Sequence, residues 1–138
     1  MKKTFLLIIA LTQLFIYGNS QTTTTSADVG MLAVTAFVPH QDAVPSQAEK
    51  NLEAKIKQMV SSNGMSSLSN SRFAIIPHVV VIDKQVQASA PPMIVLNADI
   101  TFYFGDVETG NVFGSVTKSY KGVGQNDTKA FITIVNNI

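Results

Sequence analysis

The chain contains no cysteine in its 138 residues. That absence removes a disulfide framework, a thiolate metal site, a cysteine nucleophile and a cysteine-borne lipid from these residues. Charge is scarce too, at 14% of residues against 46% hydrophobic ones. Such a balance belongs to globular proteins that hold themselves together by their core, and not to disordered chains. Catalytic signatures are also missing. There is no Gly-x-Ser-x-Gly elbow, and Gly122-Val123-Gly124 lacks the third glycine of a dinucleotide fingerprint and the Lys-Ser/Thr of a phosphate loop.

What is present starts with an address. Met1-Lys2-Lys3 leads into an apolar run from Phe5 to Tyr17, followed by Gly18-Asn19-Ser20-Gln21. Basic residues, a short apolar core and small residues before a cut between Ser20 and Gln21 make a secretory signal peptide. The run is shorter than the ~20 apolar residues of a membrane span. The expected organisation is a cleaved signal over 1–20, a flexible polar leader over 21–29 (from QTTTTSAD) and one domain over 30–138. The product is expected in the periplasm or outside the cell, without a stable membrane anchor once the signal is gone. Lys2 and Lys3 leave with the signal, so ten basic against nine acidic residues become eight against nine, a net of −1. No electrostatic footprint for nucleic acid or anionic lipid survives.

Met31 to Val38 (MLAVTAFV) is apolar and rich in β-branched residues, which predicts a strand covered on both faces and closed by Pro39. Ser46-Gln47-Ala48-Glu49 has the spacing of a capping box. Ala48, Leu52, Ile56, Met59 and Val60 then recur at helical spacing, Glu53 and Lys57 stand four apart, and Asn63-Gly64 supplies a stop. Phe73 to Asp83 (FAIIPHVVVID) predicts a buried strand, bulged or split at Pro77 because proline cannot donate to a ladder. In the next strand Leu96, Ala98, Ile100, Phe102 and Phe104 alternate with Asn97, Asp99, Thr101 and Tyr103. A turn over Gly105 to Asn111 and a return strand from Val112 to Lys121 complete a hairpin. Phe131, Ile134, Val135 and Ile138 mark a second helix, capped by Asn126 or Asp127. Its stripe is still running at the last residue, which predicts that the native chain continues. The order β-α-β-β-β-α predicts an α+β domain, a mixed sheet with helices on one face.

Candidate chemistry is sparse. Ala36-Phe37-Val38-Pro39-His40 and Ala74-Ile75-Ile76-Pro77-His78 are similar phrases. If their strands lie parallel and adjacent, His40, His78 and Asp42 would make a two-histidine, one-carboxylate metal site. A structural histidine beside a strand-ending proline is the ordinary reading. Gly122-Val123-Gly124 beside Lys121 and Lys129 could offer backbone N–H groups to a phosphate, although a connection needing positive φ would explain both glycines. Asp99, Asp106 and Glu108 fit no calcium-loop spacing, and turn chemistry accounts for the last two. Asn126-Asp127-Thr128 is a glycosylation sequon as well as a helix cap. If the hairpin pairs simply, Asn97, Asp99, Thr101 and Tyr103 face Thr117, Ser119 and Lys121, a polar surface for a peptide or an oligomer contact, or the ordinary solvated face of a half-covered sheet.

The strand reading LAVTAFVP, the amphipathic helix, the strand opened by NSRFAIIP, the D-x-x-T-G hairpin at Asp106 to Gly110 and the Gly-x-Gly step into a helix come in a recognisable order. Across Met31–Pro39, Ser46–Gly64, Arg72–Ile82 and Leu96–Ile138 this order resembles the amino-terminal domain of TolB-type and curli-secretion-lipoprotein (CsgG-type) periplasmic proteins. The resemblance implies an envelope protein that docks on or assembles with other proteins, without catalysis and without a cofactor. The lipid-bearing cysteine is missing here, so tethering and a curli-like channel do not carry over. Two functions are expected in this order: a secreted or periplasmic non-catalytic interaction domain, bound to an envelope protein or to itself, and a small secreted metal-binding protein or hydrolase using His40, His78 and nearby carboxylates.

Overall fold

The computed structural model describes residues 32–138. The expected signal, its cut at Ser20–Gln21 and the leader lie outside them. The elements are β1 (Val34–Ala36), α1 (Ser46–Ser62), β2 (Phe73–Gln87), β3 (Met93–Asp106), β4 (Val112–Gly124) and α2 (Asp127–Asn136). They form one four-stranded sheet in the order β1-β2-β3-β4, with β1 parallel to β2 and the other pairs antiparallel. This is the α+β layout expected from the sequence. Both helices pack on the face that carries Leu96, Ala98 and Ile100.

The core is built where the two stripes meet that face. Ala48, Leu52, Ile56 and Val60 of α1 and Ala130, Phe131, Ile134 and Val135 of α2 are buried against it. α1 ends as expected: Gly64 takes φ +74°, and the amides of Gly64 and Met65 close onto the carbonyls of Ser61 and Val60. Those two bonds satisfy carbonyls that the helix end would otherwise orphan. Asn126 caps α2, its side chain accepting from the Lys129 amide at 2.8 Å.

Several local expectations are corrected. Ser46 is not a cap. Pro45 is, with no side-chain bond, and Glu49 reaches past the helix to the Gln41 amide at 2.8 Å and the His40 ring at 3.0 Å. β1 is only three residues long, and Leu32 and Phe37 beside it are exposed, so that run is not covered on both faces. β2 is not split at Pro77. It runs on to Gln87, with its irregularity at Val81/Asp83 and its last four residues all exposed. Pro77 fits the ladder because its missing N–H points toward the β1 side, where β1 has already ended.

Candidate functional site

The polar face predicted for the central strands is present and ordered. Register places Asn97 opposite Lys121, Asp99 opposite Ser119, Thr101 opposite Thr117 and Tyr103 opposite Ser115. Ser119 donates to Asp99 at 2.6 Å, and the hydroxyls of Thr101 and Thr117 share a bond at 2.8 Å. β2 extends the same face through Ile76, His78 and Val80, opposite Tyr103, Thr101 and Asp99. Among the described residues no helix lies over this surface. Cross-strand hydroxyl and carboxylate pairs of this kind hold adjacent strands in register.

The hydrogen-bond pattern also shows which strand edges are closed. The Phe37 amide donates to the Ile75 carbonyl, so odd-numbered residues of β2 before its irregularity turn their backbone groups toward β1. In an antiparallel ladder both groups of a residue point the same way. Even residues of β2 therefore bond to β3, even residues of β3 bond to β4, and the odd residues from Ser115 to Val123 point away from the sheet. Side chains close parts of both edges. Gln41 accepts from the Val79 amide at 2.8 Å and donates to the Pro77 carbonyl, continuing β1 by one side chain. At the other edge the Thr133 hydroxyl of α2 is shared between the Val123 carbonyl and the Lys129 carbonyl of its own helix, each at 3.0 Å, and Asn137 donates to that of Lys121 at 3.3 Å.

Gly122 and Gly124 make that second closure possible. Neither has positive φ, which corrects the expectation of a strained connection. A Cβ at Gly122 would collide with the Ala130 carbonyl, and one at Gly124 with the Ala130 amide. The glycines admit the first turns of α2 directly onto the strand, and their own amides face β3 in the ladder, not a phosphate.

The other half of β4 is different. Val112, Phe113 and Val116 are 62%, 57% and 52% exposed. Phe113 rests on Phe73 and Phe104, with ring centroids 6.0 and 5.8 Å away. On the helix side this half borders an apolar groove of about 500 Å³ lined by Ile56, Met59, Phe102, Val116, Lys118 and Ile138 among others. Met59, expected in the buried stripe of α1, stands at this rim and is 36% exposed.

The carboxylates considered for chemistry are occupied structurally. Asp106 is 4% exposed, accepts from Arg72 Nη2 at 2.7 Å and Nε at 2.9 Å, and takes the amides of Glu108 and Thr109 with its other oxygen. The Arg72 guanidinium first, and those turn amides with it, hold its carboxyl down to about 2. A cleft of about 730 Å³ lies beside this pair, with Lys57, Asn70 and Glu108 in its wall. His40 stands 3.0 Å from Glu49 and 3.7 Å from Asp42. The Gln41 amide, and then His40, lower the Glu49 pKa. β1 and β2 are parallel neighbours, yet it is Gln41 that reaches across to the Pro77–Val79 backbone, while His78 is exposed on the outer face opposite Thr101. Among the described residues no group of three His, Asp or Glu is placed to hold a metal ion.

Sequence reasoning missed Gln41, Thr133 and Asn137, the three side chains that close the edges. Thr133 sits at helical spacing on the flank of the α2 stripe, but nothing local reveals that a strand carbonyl lies beneath it.

No family model and no curated protein matches this sequence. Solved structures share its fold. A minor lipoprotein from Acinetobacter baumannii superposes with a TM-score of 0.51 at 16% identity, over 76% of this chain and 84% of that one. Lipoprotein GNA1162 from Neisseria meningitidis gives 0.45 at 8% identity, over 77% and 93%. The fold is one found in a bacterial lipoprotein.

Proposed function

We propose that this chain is a secreted or periplasmic, non-catalytic interaction domain of the bacterial cell envelope, of the kind represented by the amino-terminal domains of TolB-type and CsgG-type proteins. The partner is an envelope protein or a further copy, and the docking surface is the polar outer face of the sheet, at Asn97, Asp99, Thr101, Tyr103 and Lys121. The observation that carries this reading is the ordered outer face itself. Its strands are cross-linked by Asp99–Ser119 and Thr101–Thr117, and it bears no helix among the described residues. A pre-ordered polar surface loses little freedom on binding, which favours recognition. The fold shared with a bacterial lipoprotein and the signal-like start support the envelope address.

Photo-cross-linking from Tyr103 in the native cell, combined with fractionation, tests the proposal. The expected product is an exported chain beginning at Gln21 that cross-links to an envelope protein through Tyr103. Replacing Asp99 and Thr101 by lysine should abolish the adduct. A cytoplasmic chain retaining Met1, or adducts formed only from the helix side of the sheet, would contradict it.

A further inference from the structure

We infer that the open half of β4 is a self-pairing edge: Gly114 to Lys118 adds, antiparallel, to the same segment of a second copy, with Val116 on the two-fold axis. The inference builds on the reading of the chain as an interaction domain and names one partner and one strand register.

The limits of the segment follow from the closures already described. Toward the C-terminus, Thr133 of α2 and Asn137, its C-cap, occupy the Val123 and Lys121 carbonyls. Toward the N-terminus, the register shift at Phe104/Gly105 leaves Phe113 without a partner on β3. Between these limits Ser115, Thr117 and Ser119 turn both backbone groups outward, and among the described residues no bond meets them. An edge left open in this way is a template for strand addition.

The outward groups and the side chains between them together choose the register: centring on Lys118 would set lysine against lysine, and centring on Thr117 would set Lys118 against Val116, which leaves Val116 as the centre. Two antiparallel edges join through their outward residues, so Ser115 and Thr117 must face outward residues of the partner. Centring on Val116 sets Ser115 against Thr117 of the second copy and Thr117 against its Ser115, which forms both pairs of backbone bonds at once. Val116 meets Val116 in the close, non-hydrogen-bonded position, with Cα atoms about 4.5 Å apart. Lys118 meets Gly114, where a side chain would find nothing within 4 Å.

This pattern favours a second copy as the occupant. Lys118 is the only charge in the segment, and the two-fold places it over a glycine and not over its twin. On the outer face, serine meets threonine, repeating the hydroxyl pairing that joins Thr101 to Thr117. On the helix side, the two Val116 residues join the apolar grooves of the copies into one. Isologous pairing of this sort closes at two subunits.

The test uses the purified exported chain. Because the chain has no cysteine, a single introduced thiol reports contact without ambiguity. Sedimentation at high micromolar concentration should show a dimer, and Val116→Cys should oxidise readily to a covalent dimer. Ser119→Cys should do so at least about tenfold more slowly, since this register separates the two Ser119 positions by about 20 Å along the seam. Ser115→Pro removes one outward N–H without touching the β3 ladder. It should weaken dimerisation by about tenfold or more while circular dichroism shows the fold retained. A monomer at that concentration, assemblies larger than a dimer, or equal cross-linking from Val116→Cys and Ser119→Cys would overturn the inference. Any of these would leave the Tyr103 adduct with an envelope protein standing, so failure of this pairing and failure of the proposed function are separable.

Discussion

The two halves of β4 are one strand, in continuous register with β3 from Gly114 to Gly124, yet they are built for opposite ends. From Tyr120 to Gly124 the strand carries glycines where α2 presses in, and the carbonyls of its outer edge are taken by Thr133 and Asn137. From Val112 to Ser119 it carries hydroxyls, exposed apolar side chains and an outer edge that nothing in the described chain meets. The difference teaches how a small sheet protein assigns its edges. Closing this part of the edge takes a helix close enough for its side chains to reach the strand, and that proximity demands glycine. Where hydroxyl-bearing and β-branched residues replace glycine, the edge stays available.

Breaking the helix-backed half should cost most. Leu52 is 1% exposed in the core, and Leu52→Ala should lower stability by ~2–5 kcal/mol in a urea titration. Gly122→Ala, which sets a methyl against the Ala130 carbonyl, should cost about 1–3 kcal/mol or prevent folding. Gly114→Ala, at the matching position of the open half, meets open space and should shift the monomer by no more than about 0.5 kcal/mol. Asn126→Ala removes the cap that starts α2 and should cost about 1 kcal/mol. Glu53→Ala, half-exposed in its pair with Lys57, should cost under about 0.5 kcal/mol. Acid sharpens the comparison from the side of the hairpin turn. The Asp106 carboxyl is held at about 2, below its ordinary 3.8, so its contribution to stability is present above the ordinary value and is lost as pH falls through about 2. Thermal melts between these limits should decline in the parent, and Asp106→Asn should remove that part of the decline.

What could be read in advance was local or periodic. The order of elements, the α1 stripe, the Gly64 stop and the alternation of β3 all follow from spacing along one strand, one helix or one hairpin. The failures share a different cause. Glu49 had the spacing of a capping box, but its carboxylate found the Gln41 amide and His40 from the incoming loop, a competition between local and tertiary partners. Gly122 and Gly124 suggested backbone strain, whereas their reason is a helix that arrives from later in the chain. Pro77 looked like a break because the sequence does not say which way its absent N–H would point. The edge closures by Gln41, Thr133 and Asn137 depend on which strand lies beneath which side chain, and only the assembled sheet decides that.

Backbone amide exchange along β4, followed residue by residue by NMR at several protein concentrations, tests the account most directly. Amides of Val116 and Lys118, bonded to β3, should exchange slowly at every concentration. Amides of Ser115 and Thr117 should exchange fast in dilute solution and become protected as the protein is concentrated. If Ser115 and Thr117 remain fast at all concentrations, or if no alternation between odd and even residues is seen, the open half of β4 is not a pairing edge and the division of the strand into a closed and an available half is wrong.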